Sequence, residues 1–190
     1  MNTAEHIVES YFRFCRECFT MPDRKVKGGN NRQFDLLAHK PKDDRLAHIE
    51  ITVTHRLNWC YTLSDLGEDF DKKFFGVAPK RSSSGSRKTD WERGISYWHQ
   101  IKETYKELGF DLSQIDRVYV CWAVKGKILE TPIRTLHQPN GFDEDFEIEI
   151  LSFRDVILPA LTSTIATANY DDDTLRTLSF INERQRQLQL

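Results

Sequence analysis

Gln33-Phe34-Asp35-Leu36-Leu37-Ala38 and Ala47-His48-Ile49-Glu50-Ile51-Thr52-Val53-Thr54, with the polar turn Pro41-Lys42-Asp43-Asp44 between them, are the stretches that decide how this chain is read. In the second, Ile49, Ile51 and Val53 alternate with Glu50, Thr52 and Thr54. Period-two alternation over β-branched residues predicts a strand with one apolar and one polar face. The first stretch is a strand candidate as well. Upstream, the extended run Arg24-Lys25-Val26-Lys27 leads into Gly28-Gly29-Asn30-Asn31, which is strong turn chemistry. Three such runs with short connections predict an antiparallel meander. Pairing as a hairpin can set Asp35 and Glu50 near each other on a polar face with Gln33, Thr52 and Thr54. Adjacent carboxylates repel unless a cation lies between them, and hard divalent ions such as Mg²⁺ take such oxygen ligands. The bland alternative is a solvated face of a half-buried sheet. It is less expected for an acid set among Phe34, Leu36 and Leu37.

Working outward, residues 3–19 predict a helix: Thr3 is the expected N-cap, and Ile7, Val8, Tyr11, Phe12, Cys15, Cys18 and Phe19 recur at three- and four-residue spacing. Pro22 excludes a helix beyond it. Residues 57–79 hold aromatics but no sustained period. Residues 80–88 are basic and rich in Ser and Gly. Asp90 is the expected N-cap of a helix whose apolar stripe is Trp91, Ile95, Trp98, Ile101, Tyr105 and Leu108, and Gly109 ends it. The apolar run 118–124 predicts a central strand covered on both faces. Residues 146–151 predict another, and Ser152 is placed to cap a helix from Phe153 to about Ile165. The expected class is therefore mixed α/β, with one domain over residues 1–168 and a polar tail at 169–190 that is helix-permissive.

Composition narrows the function classes. The chain has 190 residues and a formal net charge of −2, so nucleic-acid contact requires a local basic patch. No apolar run spans a bilayer, and the Met-Asn-Thr-Ala-Glu-His start lacks the basic and apolar regions of a signal peptide. The expectation is no membrane and a reducing cytoplasm. Cys15, Cys18, Cys60 and Cys121 do not form a disulfide or zinc pattern; Cys15 and Cys18 read as small apolar residues on a helix. There is no P-loop and no nucleophile elbow. Trp59 and Tyr61, outside a clear element, are candidate stacking groups for bases.

Phe34-Asp35-Leu36-Leu37-Ala38, a turn, and His48-Ile49-Glu50-Ile51-Thr52-Val53 resemble the core motif of the PD-(D/E)xK nuclease-like superfamily, nearest in character to its Holliday-junction-resolvase-like and Mrr-like branches. The order of elements resembles that superfamily too, over about residues 3–165, and 150–157 resembles its strand-to-helix ending. The resemblance implies a restriction-endonuclease-like core and a Mg²⁺- or Mn²⁺-dependent DNA endonuclease in restriction, repair or defence. Asp35 and Glu50 would hold the metal and Glu9 of the first helix would assist. Many relatives dimerise to cut two strands, so a homodimer is a further expectation. The motif places a lysine two residues after the glutamate, where this chain has Thr52. A threonine hydrogen-bonds but supplies no positive charge. Lys25, Lys27, Arg32 and His55 are candidates for a displaced group, and Lys27 joins Asp35, Glu50, Thr52 and Glu9 as the expected catalytic residues. Lys80, Arg81, Arg87, Lys88 and Arg32 are the expected phosphate contacts, against the plain reading of 80–88 as a loop. The missing lysine supports a second expectation, a catalytically silent member of the fold that binds nucleic acid or protein. A third is an unrelated α/β interaction module without a metal.

Overall fold

Helix α1 (Thr3–Phe14) opens the chain, and its cap is Asn2 rather than Thr3: the Asn2 side chain accepts the Glu5 N–H while Glu5 reaches back to the Asn2 N–H. The computed structural model describes residues 2–77 and 96–188. The basic stretch 80–88 and the expected helix start at Asp90, Trp91 and Ile95 lie outside the described residues. The meander follows as β1 (Phe19–Lys25), β2 (Gln33–Lys40) and β3 (Arg45–Thr52), antiparallel throughout. Pro22 lies within β1, which is tolerated because β1 is an edge strand. The turn before β2 uses positive φ at Gly28, Asn30 and Asn31, as its composition leads one to expect.

Next come two short 3₁₀ turns, α2 (Gly67–Phe75), α3 (Trp98–Glu107), β4 (Ile115–Cys121), β5 (Ile133–His137), β6 (Phe146–Ser152), a π-type turn, α4 (Leu158–Ile165) and α5 (Asp173–Gln187). The six strands form one mixed sheet in the order β1-β2-β3-β4-β6-β5. β3, β4 and β6 run parallel at its centre, with antiparallel strands on both flanks. Parallel neighbours need a crossover, and α2 with α3 supplies it between β3 and β4.

Each face has its own core. On one, Val8, Tyr11 and Phe12 of α1 pack with Leu36, Ile49, Val118, Val120 and the segment entering α4. On the other, Leu66, Phe70, Phe74 and Phe75 around α2 pack on Tyr119, Cys121, Ile148 and Ile150, and Ile101 and Tyr105 of α3 pack on Phe34, Leu37 and Leu46. Wholly buried side chains such as Leu36 and Ile49 each contribute about 1.5–3 kcal/mol. The polar tail is a helix: Asp172 caps α5 by accepting the Leu175 N–H, and Leu175 is buried with Leu161 and Ile165 of α4. Two elements escaped the sequence reading, α2 and the edge strand β5, and two were misplaced: the first helix ends at Phe14 instead of reaching residue 19, and the first strand is Phe19–Lys25 instead of the run 24–27. Among the described residues no helix is long and apolar enough to cross a membrane.

Candidate active site

Asp35 stands where the alternation of β2 slips by one residue. Phe34 and Leu37 both face α3, whereas Leu36 faces α1. Regular pairing with β3 begins only at Leu36↔Ile49, and the Asp35 Oδ2 atom takes up the next free donor, the Ile51 N–H, at 2.8 Å. Glu50 points to the α2 side by simple alternation, since Ile49 belongs to the α1 core. α2 brings a cation to both acids. Leu66, Phe70 and Phe74, spaced by four, seat the helix on the sheet, and Lys73 on its flank reaches back to the strands. The Lys73 Nζ atom lies 2.9 Å from Glu50 Oε2 and 3.0 Å from Asp35 Oδ2.

The helix is held in place at several points. Arg32, from the turn between β1 and β2, donates to the carbonyls of Lys72 and, at 2.6 Å, Lys73. Cationic donors suit the negative end of a helix. Tyr119 donates to Asp69 at 2.7 Å, and buried Asp71 accepts from His137 at 2.7 Å and from Asn140. Gly76 closes α2 in the left-handed region with φ +65, and a Cβ there would come within 2.8 Å of Tyr97.

Burial governs the electrostatics. Burial and the nearby Glu50 charge raise the proton affinity of Asp35, against Lys73 and the Ile51 N–H, which lower it. Burial raises Glu50 as well, against the pull of Lys73 and Arg32. Lys73 would be lowered by burial alone, but Glu50 and Asp35 outweigh that and hold it above the ordinary lysine range. A third partner fixes Glu50 from behind: His48 Nε2 lies 2.8 Å from Glu50 Oε1, and His48 Nδ1 lies 2.6 Å from the Tyr105 hydroxyl. Burial, with Arg117 and Arg32 nearby, pushes the His48 pKa well down. The ring is then neutral, and with Glu50 ionised it donates from Nε2 and accepts the Tyr105 O–H at Nδ1. Arg117 itself is buried against Phe75, Trp98 and Phe146.

The structure therefore brings Asp35 and Glu50 together and sorts the other expected residues. Thr52 shares the Glu50 face, beside the Tyr119 hydroxyl. Glu9 is not brought to the pair: it accepts from Thr20 at 2.7 Å, on the α1 side of the sheet. Lys27 is also elsewhere, exposed and paired with Glu107 at 2.5 Å. Arg32, expected as a phosphate contact, is turned inward to the end of α2. His55 is exposed. Lys80, Arg81, Arg87 and Lys88 lie outside the described residues. The sequence reading missed Lys73, His48 and Tyr105. The spacing of Leu66, Phe70 and Phe74 ahead of Gly76 was the available signal for α2.

The donor set can be tested against a divalent ion. Two carboxylates converge with raised proton affinity, and among the described residues no third His, Cys, Asp or Glu completes a three-ligand cluster. A pair of hard carboxylate oxygens suits Mg²⁺ or Mn²⁺ and not a closed structural zinc site. Compared with known proteins, the chain matches no family model, no curated protein and no solved structure.

Proposed function

We propose that the chain is a metal-dependent DNA endonuclease of the PD-(D/E)xK type, in which α2 donates the lysine that the motif otherwise places on the third strand. The observation that carries this reading is the Lys73 ammonium within 3.0 Å of both Asp35 and Glu50. The order helix, antiparallel meander, helices and parallel strand agrees with the restriction-endonuclease-like core and supports it further.

Asp35 and Glu50 would hold Mg²⁺ or Mn²⁺, which when bound supplies a Lewis acid for the phosphoryl oxygen and a more acidic water. The remaining chemistry belongs to the chain. The Ile51 N–H aims Asp35, and His48, itself aimed by Tyr105, fixes the far oxygen of Glu50. Lys73 remains protonated beside two acids, so it acts as a positioned charge for the attacking water and the developing phosphoryl charge, not as a base. In this arrangement Lys73 takes the part assigned by the motif to a lysine at the place of Thr52.

The test is cleavage of plasmid and branched DNA with Mg²⁺ or Mn²⁺ by the wild type and by Asp35→Ala, Glu50→Gln and Lys73→Ala. Metal-dependent cutting that all three variants lose is the expected result. A folded wild type that cuts no DNA with either ion would overturn the enzyme reading in favour of a silent binding module.

A further inference from the structure

Where β3 and β4 end, two loops leave the sheet together and pass beside the candidate site. One carries Arg56, Trp59, Cys60 and Tyr61, the other runs from Ala123 to Ile128, and the Lys125 N–H donates to the Tyr61 carbonyl at 2.9 Å to join them. Between the loops lies an open cavity of about 540 Å³ with Cys60, Ala123 and Val124 on its walls and Lys125, Lys127 and Arg154 on its rim. Pockets of that size take small organic groups. Val124 belongs to the same core as Phe70 and Phe74 of α2, so the cavity adjoins the face that bears Lys73. Thr52 pairs with Cys121. At about 3.3 Å per residue and about 4.8 Å between strands, the cavity begins on the order of 10–15 Å from Glu50.

The cavity's lining is basic, and the lining residues Asn58 and Cys60 flank Trp59, which with Arg56 stands beside the cavity and not in its wall. Arg56, Lys125 and Lys127 are exposed and form no ion pair among the described residues. Arg154 is held by Asp155, and Asp65 attracts Lys125 without pairing with it. Trp59 is 59% exposed, with the Arg56 guanidinium 5.0 Å over its ring. Ile128 is exposed at the mouth. Exposed cations beside an exposed aromatic ring and a recess are what a single nucleic-acid strand requires: phosphates on the cations and a base against the ring. A duplex keeps its bases stacked and has no use for the recess.

We propose that this cavity and the exposed Trp59 beside it hold unpaired nucleotides of the strand whose backbone passes Asp35, Glu50 and Lys73, with a base against Trp59 and phosphates on Lys125 and Lys127 at the cavity and Arg56 next to it; this rests on the nuclease reading above. The substrate class that follows is single-stranded or branched DNA. The experiment is fluorescence anisotropy with a labelled oligodeoxynucleotide, single-stranded or in duplex, in EDTA and at several salt concentrations. The proteins are the full-length wild type, Trp59→Ala, the double variant Lys125→Ala/Lys127→Ala and Glu50→Gln. The wild type should bind the single strand more tightly than the duplex, with quenching of tryptophan emission. Trp59→Ala should lose that quenching and about fivefold or more in affinity. The double variant should lower the salt slope by about 1.4, at about 0.7 per phosphate contact. Glu50→Gln should bind at least as tightly as the wild type. Unchanged binding by both loop variants, a preference for duplex, or no nucleic-acid binding by the folded wild type would each overturn the proposal. If the wild type cuts while the loop variants bind normally, the cavity fails and the active site stands. If the loop variants weaken binding while the wild type cuts nothing, the cavity stands alone.

Discussion

The two ends of the sheet both gather charge, and they do so in opposite ways. At the end where β4 and β6 begin, a depression of about 390 Å³ is lined by acids that each hold a cation, while a further cation, Arg117, packs on aromatic rings instead. Arg45 holds Asp116 at 2.6 Å, Arg16 holds Glu149 at 2.8 Å and Arg134 holds Glu147 at 3.1 Å. Most of these side chains face water. At the other end, two acids share the Lys73 ammonium, and Glu50 keeps only 3% of its side-chain surface exposed. Arg32, committed to the carbonyls of α2, adds attraction from farther away. In the solvated cluster every acid already has its cation. The buried one carries acids with raised proton affinity and a persistent demand for positive charge. Charge density alone does not mark a candidate site; burial of acids that outnumber the cation they share does.

Lys73→Ala should break this contrast most severely. We expect a loss of cleavage of about 10²-fold or more and of about 3 kcal/mol in stability at neutral pH, because two buried carboxylates lose their counter-ion. The sign follows from the direction of the shifts. Asp35 and Glu50 already titrate above their ordinary values, and without Lys73 they rise further, so ionising them opposes folding. The penalty is complete above those raised pKa values and shrinks as pH falls below them. Urea unfolding at neutral and mildly acidic pH measures it. An equal loss at both would show that Lys73 acts through packing of its stem.

Tyr105→Phe should be next in size, because it leaves His48 Nδ1 without its donor in a fully buried place. A cost of about 1–3 kcal/mol is expected, with kcat reduced more than KM. A thermal melt indistinguishable from the wild type would remove Tyr105 from the site's support. The acid limb of the cleavage profile sharpens the comparison without a mutation. Ion binding requires both carboxylates deprotonated, so activity should fall with pH above the ordinary aspartate and glutamate values of 3.8 and 4.5. A limb at or below those values would mean that the acids are better solvated than their burial implies. The smallest effect belongs to the matched end. Arg45→Ala, in a pair whose side chains are 40% and 48% exposed, should change stability by no more than about 0.5 kcal/mol. Cleavage should be unchanged.

Legibility followed the range of the interactions. The alternation Ile49, Glu50, Ile51 is a local signal, and it assigned Glu50 to the polar side because neighbouring residues on a strand point to opposite faces. His48 lies on that side by the same parity, yet its bond to Glu50 depends on burial under α3, which no local pattern states. Lys27 was the natural substitute for the missing lysine because it is near the meander in sequence. The fold sends it out to Glu107 and draws Lys73 in from the segment that showed no sustained period. Glu9 is kept from the pair for a related reason: α1 covers the opposite face of the sheet.

By itself the sequence determined the meander, the apolar face of β3, the buried central strands and the two acids, since each depends on spacing between residues close in the chain. Tertiary structure alone decided which cation meets those acids, which histidine aims them and which loops stand beside them. Those partners come from α2, α3 and the ends of parallel strands, elements brought together only when the crossover packs its apolar stripe on the sheet. A lysine, a histidine and a tyrosine far apart in the chain acquire common chemistry only once burial removes water from between them.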